Sequence, residues 1–599
     1  MAGQTDYGAC PNLARMFFDR AGERGDRPFL WAKRDGAYRP VTWAEAIQQV
    51  SALSRGLRAL GVGSGDRVCL VSENRPEWIL ADIAIMAAGA ITVPAYTTNT
   101  PADHRHILTD SGAKAAIVSK PALAERLLTA AIEAPALAHV VCLEMPANRP
   151  QGGPSVLSWD DVLARGKAAV DDVARTVDAI RRTDTACIIY TSGTGGVPKG
   201  VMLSHGAILH NCKGAFHLLL ELGLTDEVFL SFLPLSHSYE HTAGAHFPVS
   251  IGAQVYYAEG VDTLVANMGE AKPTIMTAVP RLYESMHARI MRDVTRTGGL
   301  KEKLFMKTVA LGRKRYEAGG RLGLIDSLVD SVLERLVRDK VRARFGGRLK
   351  AFVSGGGPLN VEIGKFFNAL GVNLLQGYGL TETAPVVSCN LPKKMKIHTV
   401  GPPIVDTEVR IAEDGEILVR GELVMQGYWG DAEATAAVLK DGWLHTGDIG
   451  VIDTDGYIQI TDRKKDIIVN SGGDNISPQR VEGFLTMQPE IAQAMVYGDK
   501  HPHLVGLIVP NKDFAEQWAR KHNKPGDLAA LAQDAQFQTA VYQAVERVNK
   551  DMSVIERVRR IILTAEPFTV ENGMMTPTLK IRRHKIREKY GEALKRLYG

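Results

Sequence analysis

The chain has 599 residues, 45% of them apolar and 23% charged, with a formal net charge of +4. That length gives ample core for two or three domains, and so ordinary a composition excludes a disordered or fibrous protein. The weak net charge gives no general case for nucleic-acid binding, and six scattered cysteines without a CxxC argue against a zinc or disulfide framework.

The N-terminus MAGQTDYGAC lacks a basic stretch followed by an apolar core, and no run of about 18 apolar residues occurs. A cytoplasmic protein is therefore expected, with any membrane contact peripheral. From 67 to 119, apolar runs such as VCLVS and AAIVS alternate with helical patterns such as PEWILADIAIMAAGA, the rhythm of βα units around a parallel sheet. PANRPQGGPS (146–155) reads as a loop, and a second α/β stretch follows with strands near 186–190, 228–232 and 351–354.

Between 281 and 350 eighteen Lys/Arg stand against eight Asp/Glu. There, SLVDSVLERLVRDKVRARF spaces apolar residues as a surface helical hairpin would, packed by its apolar stripe. The same basic amphipathic pattern also suits a surface that rests on anionic lipid headgroups. Near 400 the texture becomes β-rich, with Asp414-Gly415, Asp441-Gly442 and Asp455-Gly456 as hairpin turns, and a small antiparallel barrel or sheet is expected. The charged string TDRKKD (461–466) then precedes a mixed α and β pattern that runs to 599.

In YTSGTGGVPKG (190–200) an apolar strand enters a Gly/Ser/Thr loop. Glycines such as Gly193 let backbone N–H groups converge, Thr191, Ser192 and Thr194 supply hydroxyls, and Lys199 supplies a mobile positive charge. Such a loop suits phosphates, though it is also common as a plain turn. It is not a Walker A loop, because Gly200 stands where a hydroxyl residue must follow the lysine. LPLSHSYEH (233–241) contains HxxEH, an inverted zinc-protease signature that would pair His237 with His241. GYGLTET (377–383) fails as a dinucleotide fingerprint, since Glu382 replaces the third glycine.

Together with HTGDIG (445–450) and DRKKDIIVNSGGDNISP (462–478), these segments fall in the order found in the adenylate-forming superfamily of acyl-CoA synthetases, peptide-synthetase adenylation domains and luciferases. The chain resembles that family over nearly its whole length. The resemblance implies a multidomain α/β fold. It places a large N-terminal domain of two α/β sheets plus a small β-barrel at 1–461, the β-rich part being 400–461. A hinge at 462–466 and a small mobile α+β C-terminal domain at 467–599 complete it.

The resemblance also implies roles for individual residues. Thr191, Ser192, Gly193, Thr194 and Lys199 would hold phosphates. Gly355, Gly356 and Gly357 would lie flat against adenine, with Gln376, Gly377 and Gly379 beside them and Tyr378 offering its aromatic face. Thr381 would reach the α-phosphate and Glu382 would ligate Mg²⁺. Asp448 would accept from both ribose hydroxyls, assisted by Arg463, and His237 would line the pocket beside the carboxylate. Lys580, in MTPTLKIRRHKI, would be the mobile catalytic lysine and Lys465 the hinge. Gly472 and Gly473 would come against the pantetheine tunnel.

Two departures stand out: Gly195 replaces a hydroxyl residue in the phosphate loop, and no glycine precedes Lys580. Chain length and the basic insertion resemble long-chain fatty-acid–CoA ligases. The implied chemistry joins a fatty acid to ATP as acyl-AMP with release of pyrophosphate, then transfers the acyl group to coenzyme A. Fatty acid and coenzyme A would be the partners, with no nucleic acid. A homodimer and residence on the inner face of a membrane stay open. The alternatives are transfer to a carrier protein by a fatty acyl-AMP ligase, an HxxEH zinc protease, and a non-catalytic lipid- or nucleotide-binding module.

Overall fold

The computed structural model describes residues 5–149, 152–170, 172–191, 197–576 and 580–599. Its first eight-stranded sheet has a parallel centre built from Ile91–Ala95, Arg67–Val71, Ala115–Val118 and His139–Cys142. Those strands are mostly apolar and almost wholly buried because helices cover both faces, as a parallel sheet requires. One covering helix, Pro76–Ala87, begins with proline at its first turn, where the missing N–H costs nothing, and is buried almost all round.

A second eight-stranded sheet contains Val228–Ser231, Gln254–Tyr257, Ile275–Ala278, Ala351–Ser354 and Leu374–Gly379. The order along the chain does not divide the two sheets. Thr185–Thr191 joins the first sheet, while the N-terminal hairpin Pro28–Arg34 and Ala37–Thr42 lies at the edge of the second. The Pro/Gly-rich segment 146–155 accordingly joins neighbouring strands of one sheet, His139–Cys142 and Ser155–Ser158. Apolar strand patterns report burial and carry no label for the sheet in which they are buried.

Between the sheets runs the segment 238–251, a turn of helix at Ser238–Glu240, a π-turn at His241–His246 and a second helix at Phe247–Ile251. Glu240 faces the second sheet, accepting from Ser231 Oγ and Thr277 Oγ1, both at 2.6 Å. His241 faces the first unit, with Nε2 3.0 Å from Asp82 Oδ2 on the helix Pro76–Ala87. This wedge brings His237 and Ser238 to the junction of the sheets.

The segment past 400 forms a five-stranded antiparallel sheet of Glu408–Ile411, Glu416–Arg420, Leu439–Lys440, Trp443–Ile452 and Ile458–Arg463. At its tightest turn both central residues, Asp441 and Gly442, have positive φ (50° and 76°), the geometry that matches strand twist. Beyond it Ile491–Tyr497, Leu504–Pro510 and Val558–Leu563 make a smaller three-stranded sheet. The helix Ala535–Asp551 packs there through Phe537, Val541 and Val545. The fold is thus multidomain α/β, with a large N-terminal part and a smaller C-terminal one. Among the described residues no helix is long and apolar enough to cross a membrane.

Candidate active site

The phosphate-loop candidate is bracketed by an antiparallel strand pair, Thr185–Thr191 and Lys199–Ser204, with Thr191 opposite Lys199 and Tyr190 opposite Gly200. Ser192, Gly193, Thr194 and Gly195 lie outside the described residues. Gly200 has a packing reason to be glycine, because a Cβ there would sit 2.7 Å from Ile188 Cγ2. Lys199 Nζ lies 2.9 Å from Asp431 Oδ2 and 5.3 Å from the centre of the Tyr428 ring. Tyr428 in turn donates its hydroxyl to Glu382 Oε1 at 2.8 Å. Neither Tyr428 nor Asp431 was expected from the sequence; the short strand Gly427–Tyr428 reaches the loop by pairing with Val201 and Met202.

A second group gathers at the end of Leu374–Gly379. The Tyr378 hydroxyl donates to Asp448 Oδ2 at 2.8 Å, and Arg463 Nε donates to Oδ1 at 3.0 Å. Asp448 is buried, and it faces Arg463 across paired strands. Each of its oxygens keeps a second lone pair for a diol. Gln376 lies opposite Ser354, directly before the Gly355–Gly357 run. A Cβ on Gly355 would stand 2.9 Å from the Tyr239 ring, so the backbone lies against that ring only because no side chain intervenes. Gly379 is closed in on its other side, since a Cβ would meet Pro385 O at 1.7 Å, and Gly377 packs on the backbone of Ser388.

Thr381 Oγ1 is 3.0 Å from Ser238 Oγ, which ties the short turn Thr381–Thr383 to the wedge. The carbonyl of Glu382 accepts from Met425 N–H at 2.9 Å, fixing its backbone. Its Oε2 has no hydrogen bond among the described residues. One free carboxylate oxygen fits Mg²⁺, which keeps waters and phosphate oxygens as its other ligands.

His237 is half-buried and accepts from Tyr239 N–H through Nδ1 at 3.1 Å, which leaves the ring proton on Nε2. Burial pushes its pKa down to about 3, with Lys580 adding to the effect. The HxxEH pairing is not formed. His241 turns away to Asp82, and the cluster of potential metal ligands found among the described residues, Asp82, His241 and His246, leaves out His237.

Lys580 closes the group from the C-terminal part. Its N–H donates to Thr576 Oγ1 at 3.1 Å and its carbonyl accepts from Thr576 N–H at 2.8 Å. Lys580 is exposed, and partial desolvation of its ammonium by the protein around it pushes the pKa down to about 8. Arg463 adds like-charge repulsion, while Asp448 and Glu382 oppose the shift. Lys580, Arg463, Asp448, Glu382 and His237 thus share one electrostatic neighbourhood, although the first lies far along the chain from the others.

Lys465 is exposed in the turn after Ile458–Arg463, where Asp466 and Ile467 N–H groups both donate to Arg463 O. Arg583 grips the buried Glu482 in a two-pronged pair at 2.7 and 2.5 Å. Gly472 and Gly473 lie in an exposed turn organised by Asn470, whose Oδ1 accepts from Gly472 and Asp474 N–H at 2.9 Å. No hydrogen bond or ion pair among the described residues joins that turn to Glu382 or Asp448.

Comparison with known proteins places the chain in a family. Residues 17–429 match the AMP-binding enzyme family, and residues 465–599 match the AMP-binding enzyme C-terminal domain. The chain is 36% identical to a long-chain-fatty-acid–CoA ligase, FadD15, of Mycobacterium bovis, covering 98% of this chain and 97% of that one. It is 32% identical to the peroxisomal long chain acyl-CoA synthetase 6 of Arabidopsis thaliana, over 94% and 82% respectively. The adenylation domain of a carboxylate reductase from Mycobacterium chelonae shares the fold, with a TM-score of 0.77 at 21% identity, covering 98% of this chain and 91% of that one. With a family model spanning most of its length and relatives aligned nearly end to end, the chain belongs to the AMP-binding enzyme family.

Proposed function

We propose that this enzyme is a long-chain fatty-acid–CoA ligase. A fatty carboxylate attacks the α-phosphate of ATP to give acyl-AMP and pyrophosphate; the coenzyme A thiol then attacks the acyl carbonyl, releasing AMP and acyl-CoA. The observation that carries this reading is the Tyr378–Asp448–Arg463 hydrogen-bonded group, within whose electrostatic reach Lys580 and Glu382 lie. The near full-length likeness to long-chain ligases supports the choice of substrate.

In this reading Asp448 takes the ribose diol, held in place by Tyr378 and Arg463. Thr381 and Lys199 take phosphate oxygens, and the Lys580 ammonium meets the charge that builds on the α-phosphate in the transition state. Mg²⁺, held by Glu382, would neutralise phosphate charge. His237, uncharged and donating through Nε2, suits a wall beside the carboxylate without adding a competing cation.

The second step needs thiol access. The 462–466 segment is proposed as a hinge about which residues 467–599 turn, withdrawing Lys580 and bringing Gly472 and Gly473 toward the thiol. Lys465, exposed in the turn, has no packing to lose in such a rotation.

The test is direct. Purified enzyme with palmitate, ATP and Mg²⁺ should form palmitoyl-CoA when coenzyme A is added. Acyl transfer only to a pantetheine-bearing carrier protein, with none to coenzyme A, would overturn the acceptor. No palmitate-dependent exchange of pyrophosphate into ATP would overturn adenylation.

A further inference from the structure

The helical region after 298 leaves an apolar face uncovered. On the helix Leu324–Leu333 and its continuation Glu334–Arg338, Leu324, Ile325 and Leu328 are 88%, 79% and 72% exposed, with Val332 and Leu336 also exposed. Their spacing of one, four, eight and twelve residues from Leu324 puts them on one side of the helix. The opposite side is satisfied: Leu333 and Val337 are buried with Phe305 and Val309 of the helix Gly299–Glu317. The ion pairs Lys314–Asp326 and Arg315–Asp330 fasten the two helices together. Hence the outer stripe is surplus to the packing of the hairpin.

Charge says what would cover it. Lys301, Lys303, Lys307, Arg335, Lys340 and Arg344 of the same region are exposed and have no ion pair among the described residues. On the acidic side Glu302 alone, between 299 and 350, is without an ion pair among those residues; the others are held by Arg or Lys neighbours. An exposed leucine-rich stripe in a region rich in unneutralised cations is matched by a surface that is apolar below and anionic above. A second copy of the chain is a poor match, since a two-fold contact would bring these cations against themselves.

We propose that the outer face of Leu324–Leu333 and Glu334–Arg338 docks on an anionic lipid bilayer, with Leu324, Ile325, Leu328, Val332 and Leu336 entering the acyl boundary and the neighbouring lysines and arginines meeting phosphate headgroups. The proposal rests on exposure and charge and does not depend on the ligase reading.

Cosedimentation with vesicles of phosphatidylglycerol and phosphatidylcholine in equal parts, against pure phosphatidylcholine, tests it. The full-length protein should partition at least tenfold more strongly to the anionic vesicles, and the preference should fade with added salt. The double variant Leu328→Glu and Val332→Glu should lose at least tenfold of that binding while keeping its thermal midpoint. Because both side chains are already solvated, the variant has no core packing to lose. A companion variant, Lys303→Glu with Lys340→Glu, should lose the anionic preference through charge alone. Equal binding by wild type and the Glu pair would overturn the proposal. So would equal binding to both vesicle types, or a wild-type dimer that the Glu pair dissolves.

Discussion

Tyr378 donates its hydroxyl to Asp448 Oδ2 across 2.8 Å, linking the end of a strand in the second large sheet to the antiparallel sheet past 400. The carboxylate that would take a ribose is thereby oriented by a residue on another sheet. Tyr378→Phe removes one buried hydrogen bond of about 1 kcal/mol. The expected outcome is a KM for ATP raised about fivefold, with kcat little changed, measured by steady-state kinetics at saturating fatty acid.

Lys580→Ala should separate the two half-reactions. Acyl-AMP formation should fall by at least about 10², the scale for losing a group that stabilises transition-state charge. Thioester formation from supplied acyl-AMP should stay near wild type, because the proposed rotation withdraws this residue before the thiol arrives. Equal loss of both steps in rapid-quench assays would contradict the rotation.

The pH dependence of adenylation should carry the same signature. The Lys580 ammonium is pushed down to about 8, so raising the pH through that value removes the charged form. Adenylation kcat/KM for free enzyme should therefore decline above about pH 8. In kcat the decline should move to higher pH, since bound triphosphate favours the ammonium. Lys580→Arg should remove the alkaline limb.

Glu382→Gln should keep the hydrogen bond from Tyr428, because the amide oxygen also accepts. It loses the negative charge. The expected result is a Mg²⁺ requirement shifted to higher concentration and kcat lowered by about 10², followed by pyrophosphate exchange across a Mg²⁺ titration.

Away from the pocket, Asp82 sits 3.0 Å from His241 Nε2 and 3.1 Å from His246 Nε2, all three buried. Burial alone would raise the Asp82 carboxyl, but the imidazoles, His241 foremost, hold it below the usual carboxylate range. Burial would lower His241, yet Asp82 holds it up at about 10. The His241 contribution to stability is thus complete below the ordinary histidine value and fades as pH rises toward about 10. That of Asp82 is complete above the ordinary carboxylate value and fades in acid. Asp82→Asn should cost about 3–5 kcal/mol by breaking a buried pair and should flatten the alkaline decline of the denaturation midpoint.

The sequence made much of the fold readable where a signal was local. The strand expected at 351–354 is Ala351–Ser354, and Asp441-Gly442 makes the tight hairpin that its residue types favour. What escaped was long-range. Tyr428 is separated from Glu382 by 46 residues and reaches it only through strand pairing at Val201 and Met202, for which no spacing rule exists. The HxxEH pattern pointed to the wrong partner because Asp82, 159 residues upstream of His241, takes that imidazole. In the basic region helical spacing was visible, but two apolar faces of one helix look alike until one of them is covered.

The strand pair that brackets the phosphate loop also sets a counting rule. Thr191 stands opposite Lys199, and side chains alternate along both strands. A slip of either strand by one position would turn the Lys199 ammonium away from Tyr428 and Asp431 to the opposite face. Register between Thr185–Thr191 and Lys199–Ser204 is therefore as much a part of the phosphate-side chemistry as the identity of Lys199 itself.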